Sequence, residues 1–357
     1  MMFKIPSLRI EDSRELAPKS FEVSSPEFPR DADLPRYRPG QKTGFYESFF
    51  SRANHPNRPL AFWIRCTLFS PKCRPDAAVG ELWAVLFDGE TRRNIAVKTE
   101  IPLKDCDFNP GTFSVRIGEA LLEQGRLSGS AASGGHHISW HLRFTGDQPP
   151  LLLLPPVMYR TAFPKAKSLV SLPMARHDGF IAVDDRRIEV NGWIGSRNHN
   201  WGERHTDRYA WGQVAGFDTH PDAFLEVATA AVRIGPIWSP RFSPLVLRRG
   251  GAEILFNGPL QMLRARGSYC FFVWTFRTES SDFLAEGTIS APREAFVGLR
   301  YANPPGGSKT CLNTKLASCE LQLTDKKTGK KEILFTRHRA AFEILTDEQD
   351  HGIDVKF

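Results

Sequence analysis

The richest group of side chains that could do chemistry lies in one short stretch, between Asn191 and Gly212. Tryptophan, histidine, asparagine, arginine and tyrosine are concentrated there, and the glycines between them let another backbone or a ligand approach closely. Indole and phenol faces can stabilise a cation, while amide, imidazole and guanidinium groups can hydrogen-bond a ligand. The stretch therefore predicts a ligand-binding or catalytic site.

Spacing argues against a metal centre. If residues 198–205 formed one strand, His199 and His205 would lie about 20 Å apart at ~3.3 Å per residue. They could share a metal only if the chain folded back at Trp201-Gly202. His137 and His141 would lie about 13 Å apart on one strand face. Neither spacing is a zinc motif, and none of the six cysteines has C-x-x-C spacing. We expect no metal and no other cofactor.

Motifs of two other enzyme classes are missing. The G-x-S-x-G setting of a hydrolase nucleophile does not occur. Residues 303–310 end like a phosphate-binding loop, but they lack its first glycine and are not followed by a helical pattern. We predict a long loop there.

Length and charge bound the remaining possibilities. The 357 residues suit two domains, and the net charge of +7 comes from 47 Lys and Arg against 40 Asp and Glu. The basic residues are scattered, and the densest run, Lys326–Lys331, predicts a solvated hairpin turn. We therefore expect no nucleic-acid partner.

The chain shows no sign of a membrane span or a secretory leader. Its longest apolar stretches fall short of the ~20 residues that a span requires. No continuous apolar core follows Met1. A chain this long does not need disulfides, so we expect reduced cysteines and a cytoplasmic location. The oligomeric state stays open.

Four leucines, Leu151–Leu154, lie between two pairs of prolines, which cannot continue a helix. One interpretation is a loop that touches a membrane surface transiently. The other is an extended crossover packed between two domains. We favour packing, because so short an apolar run gives little anchoring energy.

Short β-like runs bounded by glycine and proline fill most of the chain, and the best helix candidate is only Glu119–Gln124. The clearest runs are Pro59–Phe69, Glu81–Phe87, Asn94–Ile101, His137–Phe144 and a hairpin of Gly179–Val183 with Arg187–Val190. This pattern predicts sandwiches or barrels, and about 180 residues per half suit a small barrel that can enclose one ligand. We place an irregular arm at 1–40, a first barrel at 41–156 and a second at 157–357.

One segment of the cluster resembles a known family motif. Residues 198–202, Asn-His-Asn-Trp-Gly, resemble the Asp-His-Asn-Trp-Gly or Asp-His-Gln-Trp-Gly motif of the carotenoid 1,2-hydratase, AttH-like and tocopherol-cyclase-like superfamily. Gly192-Trp193 and Tyr209-Ala210-Trp211 flank it in the same pattern, and Tyr46–Phe50 with Ala61–Arg65 also fit. The resemblance spans roughly Phe45 to Trp211.

The resemblance implies an all-β fold of two lipocalin-like antiparallel barrels in tandem, and the motif could lie at their junction. It also implies acid-initiated chemistry, in which a carboxylic acid protonates an alkene and water or an internal hydroxyl captures the cation. Burial in an apolar pocket would keep such an acid protonated. Four aromatic rings are candidates to stabilise the cation: Trp193, Trp201, Tyr209 and Trp211.

The family's aspartate is replaced here by Asn198, and an amide cannot act as a general acid. We predict the catalytic group among His199, Glu203 and Glu47, with Asp207 and Glu226 as further carboxylates that could supply the proton. For Glu47 two alternatives remain: it is either a solvent-exposed residue of a strand or a buried acid. The remaining predicted ligand-binding residues are Asn198, Asn200, Arg197 and His205.

Three functions compete. The first is a cofactor-independent hydratase, cyclase or isomerase acting on an isoprenoid or another hydrophobic alkene. The second is a non-catalytic binder or carrier of a hydrophobic metabolite, which the asparagine at the acid position favours. The third is a structural role, with the barrels presenting loops to a protein partner. The tryptophan and histidine cluster has a matching structural alternative, in which it closes a barrel end.

Overall fold

The computed structural model describes residues 33–357. The predicted arm at 1–40 lies outside the described residues up to position 32, and residues 33–44 form no strand or helix. Within residues 33–357, the first strand begins at Phe45.

Twelve strands from the first part of the chain form one antiparallel sheet. They are β1 Phe45–Asn54, β2 Leu60–Ser70, β3 Val79–Asp88, β4 Ile95–Pro102, β5 Cys106–Asn109, β6 Ser114–Ile117, β7 Ala120–Glu123, β8 Arg126–Ser133, β9 His136–Thr145, β10 Leu151–Leu152, β11 Ala166–Val183 and β12 Arg186–Gly202. Single 3-10 turns occur at Pro75–Ala77 and Leu103–Asp105, and a five-residue helix, α1, spans Pro156–Arg160.

Thirteen further strands follow. They are β13 Arg208–Ala215, β14 Phe224–Ala231, β15 Arg233–Ile234, β16 Ile237–Trp238, β17 Leu245–Arg249, β18 Ala252–Phe256, β19 Arg266–Cys270, β20 Val273–Glu279, β21 Phe283–Ser290, β22 Val297–Ala302, β23 Ser308–Asp325, β24 Lys331–Thr346 and β25 Val355–Lys356. Eleven of them form the second sheet, while β15 and β16 pair only with each other. The helix α2, Pro259–Arg264, and a 3-10 turn at Arg293–Ala295 complete the second part.

The first sheet curls until its early strands meet its later ones. Its order is β4-β3-β2-β1-β12-β11-β9-β8-β7-β6-β5. Across the seam between β4 and β8, the Ala132 amide donates to Thr99 Oγ1 at 3.0 Å and the Lys98 amide donates to Ser133 Oγ at 3.0 Å. Side chains from all around this barrel fill its interior, including Phe49 and Trp193.

The second sheet has the order β18-β17-β14-β13-β24-β23-β21-β20-β19, with β22 added on β23. It encloses its own core, in which Trp274 and Phe342 are fully buried. The nearly all-β architecture with two large antiparallel sheets confirms the predicted fold class.

The change from one sheet to the other comes later in the chain than the boundary predicted at 156/157. Strands β11 and β12 both pair within the first sheet, β11 with β9 and β12 with β1. The crossing therefore lies between Gly202 and Arg208, next to the Asn-His-Asn-Trp-Gly motif. The prolines around Leu151–Leu154 interrupt pairing only locally, because β11 returns to the same sheet.

Those leucines pack between the two barrels. Leu151 and Leu153 are buried in a cluster with Val170 of the first sheet and with Phe224 and Val246 of the second. Leu151–Leu154 therefore form an extended segment packed between the two barrels and not an exposed loop.

The prediction of a helix at Glu119–Gln124 is wrong. Residues Ala120–Glu123 form β7, which pairs with β6 and β8. Alternate side chains, Ala120 and Leu122, point into the barrel core. Six residues are too few to sustain a helix without tertiary support, so strand pairing decides the local structure.

None of the helices in residues 33–357 is long and apolar enough to cross a membrane. The six cysteines, all of them in this part of the chain, form no disulfide.

The central pairing of β12 with β1 depends on a glycine. A Cβ atom on Gly195 would lie 1.8 Å from the Arg52 carbonyl oxygen and 2.6 Å from Ala53 Cα. We expect Gly195→Ala to push the two strands apart and to lower the free energy of unfolding by about 3 kcal/mol in urea denaturation. Gly111→Ala is the control, since a Cβ there approaches only the Asn109 side chain, at 3.3 Å. Equal losses in both variants would contradict this account.

Candidate functional site

A cavity lies between the two barrels, not inside either of them. Its volume is about 680 Å³, and the outer faces of both sheets line it. Its lining includes Tyr46, Phe50, Trp63, Arg65, Asn198, Tyr209, Trp211, Glu226, Tyr301 and Glu343. Such a volume suits one small molecule. The barrel interiors, where a ligand was expected, are filled by their own cores.

Strand alternation divides the predicted site residues into two groups. Residues directly opposite each other in an antiparallel pair share a face, and successive residues alternate faces. Asn198 lies opposite Phe50, which lines the cavity, and His199 lies opposite Phe49, which belongs to the first barrel's core. Neighbouring residues of one motif therefore point into different environments.

Six of the predicted residues line the cavity. They are Asn198, Asn200, Glu203, His205, Tyr209 and Trp211. Glu203 lies at the rim, where its half-exposed carboxylate accepts a hydrogen bond from Lys165 Nζ at 2.6 Å. Burial lowers the pKa of His205 to about 3, so its ring is neutral. The ring centroids of His205 and Tyr46 lie 4.1 Å apart, with the two planes tilted by 32°.

Glu47 and His199 point into the first barrel instead. Both are fully buried, and His199 Nε2 lies 2.8 Å from Glu47 Oε1. The same carboxylate accepts the backbone amides of Arg36 at 2.9 Å and Tyr37 at 3.1 Å. This network fixes the segment before β1 onto the barrel end, while His199 Nδ1 has no hydrogen-bond partner among the described residues.

Three other predicted residues lie on that inner side. Arg197 pairs with Asp33 and stacks over the Phe113 ring at 3.9 Å. Trp201 packs under the Arg36 guanidinium at 4.3 Å, and Trp193 lies in the barrel core. None of these three, nor Glu47 or His199, lines the cavity.

Glu226 is the carboxyl group that the geometry singles out. It lies on β14 between Leu225 and Val227, is 3% exposed and lines the cavity. Its Oε1 accepts a hydrogen bond from Trp211 Nε1 at 2.7 Å, and its Oε2 accepts one from Gln213 Nε2 at 2.7 Å. The carboxyl group is thus held in place by two donors on the neighbouring strand.

Burial raises the pKa of Glu226 to about 7, although the bonds from Trp211 and Gln213 and the charge of Arg52 act to lower it. Near neutral pH, a large fraction of this group carries a proton. A protonated carboxyl facing an apolar cavity is the form that a general acid requires.

Gln213 links this acid to the family motif. Its Nε2 also donates to Asn198 Oδ1 at 2.8 Å, and its Oε1 accepts from Ser196 Oγ at 2.6 Å and from Arg52 Nε at 2.8 Å. Asn198 Nδ2 in turn donates to Ser196 Oγ at 2.9 Å. Asn198 therefore sits one hydrogen-bonded residue away from Glu226.

A second carboxylate lies on the other side of Trp211. Glu343 of β24 is directly opposite Trp211 of β13. Lys315 Nζ, which is fully buried, donates to Glu343 Oε1 at 2.8 Å, and Asn313 Nδ2 donates to the same oxygen at 3.0 Å.

Sequence reasoning missed several cavity residues. Arg65, Tyr301 and Glu343 were not among the predicted site residues, and Glu226 was only one of two further acids. The available signal was a single charged residue within an apolar strand, as at Glu226 and at Arg65. Within residues 33–357, no group of three or more His, Cys, Asp or Glu side chains could hold a metal ion.

Comparison with known proteins gives two kinds of likeness. No protein-family model matches the sequence. Two uncharacterized proteins, from the CDC 1551 and H37Rv strains of Mycobacterium tuberculosis, are each 25% identical over 300 residues, which is 82% of this chain and 85% of theirs.

Three solved structures share the fold. A putative AttH from Nitrosomonas europaea superposes with a TM-score of 0.56 at 13% identity, covering 93% of this chain and 99% of its own. Kievitone hydratase from Nectria haematococca superposes with a TM-score of 0.52 at 10% identity, covering 89% of this chain and 95% of its own. The structure of CghA with Sch210972 superposes with a TM-score of 0.53 at 10% identity, covering 87% of this chain and 90% of its own. The resemblance drawn from the motif is therefore confirmed in the fold.

The raised pKa of Glu226 should make the free energy of unfolding depend on pH. The folded protein holds this proton up to about pH 7, whereas the unfolded chain loses it near 4.5. The stabilisation is thus complete below pH 4.5 and is lost as the pH rises through 7. Relative to Glu226→Gln, the wild type should lose up to about 3 kcal/mol of unfolding free energy between those limits.

The measurement is urea denaturation of both proteins from pH 4.5 to 8. Any cost of the glutamine that does not depend on pH cancels in this comparison. Glu279→Gln, at an exposed position outside the cavity, is the control. A stability difference between wild type and Glu226→Gln that stays constant across the range would refute the raised pKa.

Proposed function

We propose that this protein is a cofactor-independent hydratase, cyclase or isomerase that acts on a hydrophobic alkene in the cavity between its barrels, with Glu226 as the acid. The observation that carries the proposal is a buried carboxyl group with a pKa of about 7 in an aromatic cavity. One of the solved structures with this fold is called a hydratase, which supports the reaction class.

The reaction begins when Glu226 transfers its proton to one carbon of the double bond, leaving a carboxylate and a carbocation. Water or a hydroxyl group of the substrate then bonds to the cation and loses a proton. In an isomerisation, a neighbouring carbon loses the proton instead. That proton restores the acid form of Glu226, so the cycle needs no oxidant and no co-reactant other than water.

The cavity walls suit a cation. Phe50 lies between two indoles, 6.2 Å from Trp63 and 6.3 Å from Trp211 between ring centroids. Aromatic faces attract positive charge, and apolar walls exclude competing water. The carboxyl group of Glu343, which pairs with Lys315, lies opposite Trp211 on the neighbouring strand.

A second function, non-catalytic binding of a hydrophobic metabolite, is favoured by one observation. Asn198 replaces the aspartate of the family motif, and its amide both donates to Ser196 and accepts from Gln213. An amide satisfies this network without a charge, which suits a site that only holds its ligand.

The enzyme proposal predicts a large effect of removing one proton donor. In D₂O, with a panel of polyenes and prenylated phenols, Glu226→Gln should lower kcat at least 100-fold, because general acid catalysis contributes roughly 10²–10⁴. Wild-type kcat/KM should fall above about pH 7, where Glu226 loses its proton. Mass spectrometry would detect deuterium in the product.

Glu47→Gln, Glu203→Gln and the exposed Glu279→Gln serve as comparisons. Full activity in Glu226→Gln together with its loss in Glu47→Gln or Glu203→Gln would place the acid elsewhere.

Asn198→Asp separates the two functions. A carboxylate at this position would lie one residue from Glu226 through Gln213, and like charge raises a carboxyl pKa. If the wild type is an enzyme, the fall of kcat/KM should move to higher pH by about one unit. If instead the wild type only retains its ligand and Asn198→Asp converts it, the protein is a binder with the scaffold of an enzyme.

A further inference from the structure

We propose that the molecule bound in this cavity carries a carboxylate, and that Arg65 binds it. This inference rests on the proposed function and names its substrate class: an apolar alkene with an acidic group at one end. It follows from a buried cation that the protein leaves without a counter-ion.

Arg65 lies on β2, lines the cavity and is only 6% exposed. Its Nη2 donates to Ser48 Oγ at 2.6 Å, and its Nε has no hydrogen-bond partner among the described residues. A guanidinium is always charged, so burying one requires an anion or several acceptors. Within residues 33–357, Arg65 has only one of the acceptors that its five N–H groups require.

The carboxylates nearest to Arg65 already have other partners. Glu81 pairs with Lys98 Nζ at 2.8 Å, and Glu343 pairs with Lys315 Nζ at 2.8 Å. No carboxylate of the described residues forms an ion pair with Arg65. The missing negative charge is therefore expected from the ligand.

Two aromatic rings hold the guanidinium in place. Its central carbon lies 4.6 Å from the centroid of Tyr301 and 5.9 Å from that of Trp63. Stacking fixes the plane and leaves the N–H edge for a planar acceptor, and a carboxylate matches that edge with two parallel bonds. One buried cation balances one negative charge, which favours a carboxylate over a doubly charged phosphate.

Tyr46 offers a further donor. Its hydroxyl group borders the cavity and has no hydrogen-bond partner among residues 33–357. Burial raises the pKa of Tyr46, so the hydroxyl keeps its proton and can donate to an anion.

The cavity rim has the matching sign of charge. It includes five basic side chains, Lys72, Lys165, Lys167, Arg204 and Arg233, against the single carboxylate of Glu203. Such an excess of positive charge attracts anions toward the opening.

The register separates this anion site from Asn198, which Gln213 links to Glu226. Arg65 and Asn198 lie on opposite sides of Phe50, on strands that flank β1. Two strand spacings put their Cα atoms about 10 Å apart. A carboxylate at Arg65 would leave the apolar chain to run past Phe50 toward Glu226, so the double bond would lie several carbons from the acidic end.

The test measures binding, not turnover. We would titrate the protein with cis-parinaric acid, a fluorescent polyene carboxylate, and with its methyl ester, at pH 7.5 and fixed salt. The wild type should bind the acid at least about tenfold more tightly than the ester. Arg65→Met should remove this preference and leave ester binding unchanged. Arg65→Lys keeps the positive charge but cannot donate two parallel hydrogen bonds, so it should retain part of the preference.

Arg277→Met, at an exposed position on β20, is the matched control and should behave like the wild type. Equal wild-type affinity for acid and ester would overturn the proposal without any variant, and so would a preference that survives in a folded Arg65→Met. Glu226→Gln should keep the preference, so a failure of the catalytic proposal would appear as lost turnover with anion selectivity intact.

Discussion

The arrangement of the two barrels depends on the buried guanidinium of Arg52. From β1 of the first sheet it reaches the second, where it donates to the side chain of Gln213 at 2.8 Å and to the backbone carbonyls of Gln213 and Arg339 at 3.2 and 3.3 Å. Asn54 adds bonds to the carbonyls of Lys315 and His338. An apolar interface alone would allow the barrels to slide, whereas these directional bonds permit one register. That register places Glu226, Trp211 and Asn198 around one cavity.

Strand content and fold class could be predicted from the sequence, because alternating apolar residues and Asp-Gly or Lys-rich turns are local signals. The hairpin turn predicted at Lys326–Lys331 indeed separates β23 from β24. The change of sheet could not be placed, since prolines at 149–156 mark a crossover inside one barrel as clearly as a domain boundary would. Helix and strand also remain ambiguous over runs as short as Ala120–Glu123.

The site was predictable only in part, for a geometric reason. A motif read along the chain groups His199 with Asn198, but the pleat of β12 sends one into the barrel and the other into the cavity. The residues that meet at the cavity come from strands far apart in the chain, as Arg65, Asn198 and Glu343 show. No local sequence pattern indicates that these residues lie close together in the fold. What sequence alone could offer was a charged residue within an apolar strand.

The position of β24 sets a time at which the cavity can exist. Lys331–Thr346 follows all the other long strands in the chain, yet in the sheet it lies between β13 and β23 and supplies Glu343. During synthesis on the ribosome, the first barrel can close long before this strand emerges. The second sheet must meanwhile keep a gap in its middle, with the edges of β13 and β23 unpaired. The cavity is thus complete only after β24 has been synthesised, and until then the nascent chain has two unpaired strand edges that invite chaperone binding.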